Sequence, residues 1–335
     1  MIESSLPQSE PVLLPGRPFG RQVRSVIGYS LLMALMIVTP MLVFVPAALL
    51  HCAVRNGRRA AWAVLVLSIA VASLYAVAIP ENTPDAQKMA WSFLAAVVLA
   101  IMLPAMAAIP MVERGESFGR VLLFLLAGAL VGLAVTEAAS QMLISFSPYA
   151  AQVAQTKEVW RLVAQIYREN KMPAELVRFA ERAGPVAAYL FAAQLLVSLT
   201  VVHTLSLMMF GRLRAWQNES ARPYLFRNLT LPDWLLFAFV FGGIAPLATG
   251  LLQKVAANVL GVVAFLYLLQ GLAVFRSMLL SIGAGILGTA FGWALLAITM
   301  PFSMLFVAVA GLFDSFFDFR HFKKRKDDSH ESHSD

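Results

Sequence analysis

Long apolar runs separated by short polar breaks dominate the chain. They cover roughly residues 25–54, 60–80, 89–112, 119–145, 186–211, 232–252, 255–275 and 277–317. Runs of 20 or more apolar residues match the length of helix that crosses a bilayer. The pattern predicts an all-α, polytopic transmembrane helical bundle. The first and last runs are too long for one simple pass, and each contains proline: Pro40 and Pro46 in one, Pro301 in the other. Proline removes a backbone donor and clashes with the preceding turn, so each long run is a kinked helix or a pair of short ones. Counting each as one helix gives eight; counting both as hairpins gives ten.

Charge then orients the runs. Arg17, Arg21 and Arg24 precede the first run, and Arg55, Arg58 and Arg59 follow it. Basic loops favour the cytoplasmic side, so the first run should cross twice or re-enter. Alternation puts 81–88 and 146–185 outside, and 113–120 and 212–231 inside. Lys254 falls outside and Arg276 inside. The basic tail from Lys323 to Lys326 then places both termini in the cytoplasm, for a multi-pass protein of a bacterial inner membrane. Residues 1–24 read as a cytoplasmic tail and 25–320 as a single transmembrane domain. The charged tail 321–335 has a composition that predicts disorder.

Residues 150–184 form the one sizeable stretch outside the apolar runs. TKEVWRLVAQIYRENK carries Val159 or Trp160, Val163, Ile166 and Tyr167 at helical spacing, with charges opposite. Asn170 and Pro173 mark a break, and a second short amphipathic helix follows. This predicts an extracytoplasmic helical hairpin that caps the bundle, lies on the membrane, or gates a cavity below.

Composition agrees. The chain is 59% hydrophobic and 13% charged, where a soluble chain averages about 45–50% and 25%. A net charge of +7 could attract nucleic acid in a soluble protein. Here it lies beside apolar runs, so no nucleic acid is expected. Cys52 is the single cysteine, which excludes internal disulfides and multi-cysteine metal sites. No Walker A loop, GxSxG or HExxH is present. We therefore expect no enzyme, no cofactor and no resident metal, and any active transport would need a separate ATPase or an ion gradient.

Glu137 stands out within the run 119–145. An acid deep in the bilayer costs about 3 kcal/mol on lenient insertion scales and needs a partner, a proton or a wet cavity. Gly128, Gly132, Thr136 and Ser140 form a small-residue ridge that allows close helix approach. Ser140 and Gln141 share the face of Glu137. This patch reads either as a ligand site or as a hydrogen-bonded acid that locks helices together. Gln194 and Ser198 share a face of the helix 186–211, and both Gln194 and His203 should face protein. Asn258 and Gln270 lie on different faces of 255–275. The ligand-binding candidates are Glu137, Ser140, Gln141, Gln194, His203 and Gln270.

At the C-terminal end, GLFDSFFDFR places Asp314 and Asp318 four residues apart, on one helix face, with Arg320 close enough to pair. Acids among aromatics read as an interfacial anchor or as a partner-docking surface formed by Asp314, Asp318 and Arg320.

FRNLTLPDWLLFAFVFGG (226–243), ANVLGVVAFLYLLQGLAVFRSML (257–279) and AVAGLFDSFFDFR (308–320) together resemble the YybS-like bacterial membrane proteins. The positions that carry the resemblance are Pro232, Gln270, Gly271, Gly311, Asp314, Asp318 and Arg320. More distantly, the layout is similar to the substrate-binding subunits of energy-coupling-factor transporters. That resemblance implies capture of a small solute and reliance on a separate ATPase.

Two functions follow. The first is a solute-binding or permease-like subunit, with Glu137, Gln194 and the 255–275 helix converging on a closed midplane pocket. The second is a non-transport scaffold or regulatory protein, with a filled core and its informative surface at 212–231 and GLFDSFFDFR. A lipid- or polymer-handling enzyme is a third, weaker idea.

Overall fold

The computed structural model describes residues 19–78, 86–216, 224–244, 247 and 249–317. Among these residues all regular structure is helical, with no strand. The tails 1–18 and 318–335 lie outside the described residues, and with them Asp318 and Arg320.

The first apolar run divides where its prolines stand. Helix α1 (Phe19–Ile37) ends before Thr39, a 3-10 turn covers Pro40–Phe44, and α2 (Val45–Asn56) follows. The side chain of Asn56 donates to Ser25 Oγ at 3.0 Å, and the rings of Tyr29 and His51 lie 6.2 Å apart. The start of α1 is therefore beside the end of α2, and the run is a hairpin. That geometry returns Arg55 to the end at which α1 began, as the charge pattern requires. Every residue of α2 from Val45 to Ala53 is buried, so this short helix is a central element of the core. Its entry leaves a backbone carbonyl without its local donor, because Pro46 has no N–H for the oxygen of Val43. Ser206 fills the gap, its hydroxyl donating to Val43 O at 2.5 Å.

Helix α3 (Arg58–Ala78) is followed by α4 (Ala86–Val97), a π-helical turn at Val98–Met102 and α5 (Leu103–Glu113). The last three run on as one 28-residue apolar span. Helix α6 (Phe118–Ile144) packs along it through the small-residue ridge. A Cβ on Gly128 would lie 2.9 Å from Pro104 Cβ, and one on Gly132 only 2.1 Å from Leu99 O. Thr136 bonds back to Gly132 O at 2.8 Å, and Ser140 Oγ sits 3.1 Å from Ser92 Oγ. The ridge is thus a packing seam, closest where the π turn bulges towards α6.

Helices α7 (Pro148–Glu169) and α8 (Ala174–Tyr189) form the expected hairpin. Trp160 meets Phe179 edge to face at 6.1 Å, and Gly184 sits against Trp160. One detail of the sequence pattern fails. Ile166 is 52% exposed, and Ala164, small enough for close approach, takes the buried position instead.

Helix α9 (Phe191–Trp216) returns through the bundle. After the short α10 (Leu235–Ile244) comes α11 (Leu251–Ser281), the longest helix, which absorbs Arg276 within its span. Helices α12 (Ile286–Ile298) and α13 (Met300–Phe317) are bent by 114°, with Pro301 in the first turn of α13. No residue of α12 is buried, whereas α13 crosses α11 at backbone contact. A Cβ on Gly311 would lie 2.0 Å from Tyr267 O, and one on Gly271 only 1.8 Å from Val307 O. Among the described residues, five helices are long and apolar enough to cross a membrane, six if the bent pair is one span. The shorter apolar helices, including those of the first run, complete the bundle.

These contacts give a direct test. Gly132→Leu drives a side chain into the backbone of Leu99 and should cost about 1–3 kcal/mol or more. Gly243 has open space around it, so Gly243→Ala should stabilise slightly, by about 0.5–1 kcal/mol, through helix propensity. Thermal unfolding of the purified protein in detergent should show a lower Tm for the first and no loss for the second.

Candidate functional site

The sequence candidates separate into two ends of the bundle. Glu137 lies seven residues from the C-terminal end of α6, about 10 Å along the axis, and so near the hairpin rather than at mid-depth. Its carboxylate accepts from the Ser147 hydroxyl, from Tyr149 N–H at 2.9 Å and from Gln141 at 3.2 Å. Ser147 and Tyr149 belong to the first turn of α7, where unpaired N–H groups and the helix dipole favour an anion. Glu137 therefore holds one foot of the hairpin. Asn258 of α11 holds the other. Its amide donates to Tyr189 O at 3.1 Å and accepts from Ala193 N–H at 2.7 Å, spanning the break between α8 and α9.

Gln194 does not face the bundle interior. It is exposed and donates to Ala187 O at 3.3 Å, serving the same break. The inward face of α9 carries Thr200, His203, Thr204 and Ser206 instead, all buried. His203 is fully buried, with the backbone of Ala100 as the polar group its ring meets. The expected convergence of Glu137, Gln194 and the 255–275 helix on one pocket does not form. The reason is geometric: Glu137 and Gln194 serve the two feet of the hairpin. Gln270 is twelve residues from Asn258, about 18 Å further along α11.

Gln270 is instead the centre of a polar site at the opposite, basic end. It is 1% exposed. Its carbonyl accepts from Leu231 N–H at 2.9 Å, and its amide donates to Asp314 Oδ2 and Ser315 Oγ, each at 3.3 Å. One side chain thus joins α11, α13 and the segment between α9 and α10. The Gly271–Gly311 crossing brings the helices close enough for these bonds. In front of the network lies a cleft of about 750 Å³, lined by Arg227, Asn228, Thr230, Asp233, Ser277, Ser281, Asp314 and Ser315 among others. That cleft shows α13 finishing at the end where α11 finishes.

Aromatic contacts anchor the start of the 224–231 segment to α6 and α9. Tyr224 meets Phe118 and Phe210, each ring at 6.0 Å. Gly211 and Gly119 let the backbone of the 224–231 segment approach α9 and α6. Burial pushes the Tyr224 phenol above its ordinary pKa, with the Arg214 charge opposing that rise. Of the residues carrying the resemblance, Gln270, Gly271, Gly311 and Asp314 form one contact set. Sequence reasoning had put Gln270 and Asp314 in different sites. It also passed over Ser277, Ser281 and Ser315, since a lone serine on an apolar helix carries little signal.

The fold and this site define a polytopic helical membrane protein with a polar cleft at its basic end. A family model described as a predicted membrane protein (DUF2232) matches residues 26–315, and the chain belongs to that family. No curated protein and no solved structure matches the chain.

Replacing Gln270 by Leu removes the acceptor of the Leu231 N–H and the amide that donates to Asp314 and Ser315. A buried donor left unsatisfied costs about 1–3 kcal/mol. Cys52 is fully buried, so a cysteine placed at Asn228 is the reactive thiol among the described residues. Gln270→Leu should lower the Tm and speed maleimide labelling of Asn228→Cys by several-fold. An unchanged labelling rate would show that Gln270 does not hold this segment.

Proposed function

We propose that this chain is a membrane-embedded docking subunit that acts through a protein partner at the polar cleft, without catalysis of its own. The observation that carries the reading is the Gln270 network, which fixes an exposed polar segment (Arg227, Asn228, Thr230) against α11 and α13 at one end of an otherwise apolar bundle. Polar groups inside a membrane bundle are costly and are retained at functional positions. The cleft carries both charge signs, Arg227 against Asp233 and Asp314, which suits a hydrophilic protein surface. The charge rule puts the basic end in the cytoplasm, which suits a bacterial inner-membrane protein with both termini inside.

A solute-binding role rests on a closed midplane pocket shared by Glu137, Gln194 and Gln270, and the positions of these side chains favour docking instead. Were the partner an ATPase, the reading would join the YybS-like and energy-coupling resemblance. The docking surface would then be this cleft.

A photocrosslinking amino acid at Asn228 or Thr230, in cells expressing the full chain, tests the proposal. We expect discrete protein adducts from both positions, no such adduct from the lipid-facing Val131, and loss of the adducts when Ser315→Trp fills the cleft. Adducts that persist in the Ser315→Trp protein, or none at either position, would overturn it.

A further inference from the structure

A second site lies at the other end of the bundle and is independent of the docking cleft. Beneath the first turn of α7, between α4, α6 and α9, is a chamber of about 520 Å³ whose walls are apolar apart from one edge. It shares Leu130 and Leu196 with a second apolar groove of about 380 Å³ that continues down α6 as far as Leu123. From Glu137 to Leu123 the path follows fourteen residues of α6, about 21 Å at the helical rise. It lies on a face where Phe93 and Leu130 are half exposed, at 51% and 55%. In a bilayer that face meets acyl chains.

The path is apolar along its length and charged at one end only. Glu137 is the single acidic or basic residue that lines either part. Its bonding partners, Ser147, Tyr149 N–H and Gln141, are all neutral donors. No lysine or arginine pairs with it among the described residues. The α7 N-terminus offsets part of the charge, but a dipole is not a counter-ion. Phe93, Tyr149 and Phe191 line the same chamber as Glu137, the last two meeting edge to face at 5.4 Å. A carboxylate beside aromatic faces is the chemistry that recognises an ammonium group. A long apolar channel ending in that chemistry fits an amphiphile rather than a polar solute.

The geometry points to a binding site for an amphiphilic amine: a single hydrocarbon chain lies along α6, and its cationic head sits at Glu137, beside the Tyr149–Phe191 pair. The chain enters sideways from the bilayer. The head reaches the end of the bundle that carries the hairpin, and so contacts the first turn of α7 directly.

The test uses the full-length protein in an uncharged maltoside detergent. The probe is hexadecylamine with a photoactivatable diazirine in its chain; the control is the matching diazirine alcohol. We expect saturable labelling by the amine, at least tenfold above the alcohol, of peptides from the helices that line the path: α4, α6, α9, α10 and α11. Ala134→Trp narrows the path without touching the bonds of Glu137 and should abolish that labelling. Glu137→Gln should bring the amine down to the level of the alcohol. Equal labelling by amine and alcohol in the wild-type protein would overturn the proposal, as would labelling outside these helices or labelling that survives Ala134→Trp. None of these outcomes bears on the cleft at Gln270, so the two proposals fail separately.

Discussion

In an apolar bundle, backbone that leaves the helical hydrogen-bond ladder must find another partner, because water is absent and each orphan group costs several kcal/mol. Four polar side chains of this protein answer that requirement. Ser206 serves the carbonyl of Val43, where prolines interrupt the first hairpin. Glu137 serves the N–H of Tyr149, where the chain turns into α7. Asn258 serves both sides of the α8–α9 break. Gln270 serves Leu231, where the segment after α9 folds back against the bundle. Each residue stands on one helix and completes the backbone of a different segment. The breaks and the polar residues therefore specify one another.

Glycine supplies the second condition, contact close enough for these bonds to form. The π turn at Val98–Met102 pushes a carbonyl towards α6, and only the absence of a side chain at Gly132 leaves room for it. Gly271 and Gly311 do the same for α11 and α13. Spacing alone does not distinguish such seams. Gly288 and Gly292 share the same four-residue interval, yet they lie on α12, which buries nothing, and the nearest neighbour of Gly292 is only the side chain of Leu279.

Much of the architecture was legible in the sequence because its signals are local. Run length, proline positions and arginine clusters gave the helical bundle, the split first run, the bent last run and the hairpin insert. The Gly128–Ser140 ridge was readable as a seam because periodicity on one helix needs no knowledge of its partner. The site was harder to read. Glu137 looked deep because an apolar run does not mark where its helix ends. Gln194 and Gln270 looked like companions of Glu137 because cost in lipid was the only guide, and that cost does not say which backbone a side chain repairs. Asp314 and Gln270 are 44 residues apart, and no local pattern joins them.

The order of synthesis gives that separation a meaning. Leu231 emerges from the ribosome before Gln270, so the carbonyl of Gln270 finds its donor as soon as α11 inserts. Its amide must wait for Asp314 and Ser315, which are among the last described residues to be made. Until α13 folds back against Gly271, α11 sits in the bilayer with half of its most buried polar side chain unsatisfied. Helix α13 therefore completes a bond left open by a helix already in place, and the α11–α13 seam closes only after some forty further residues have followed Gln270.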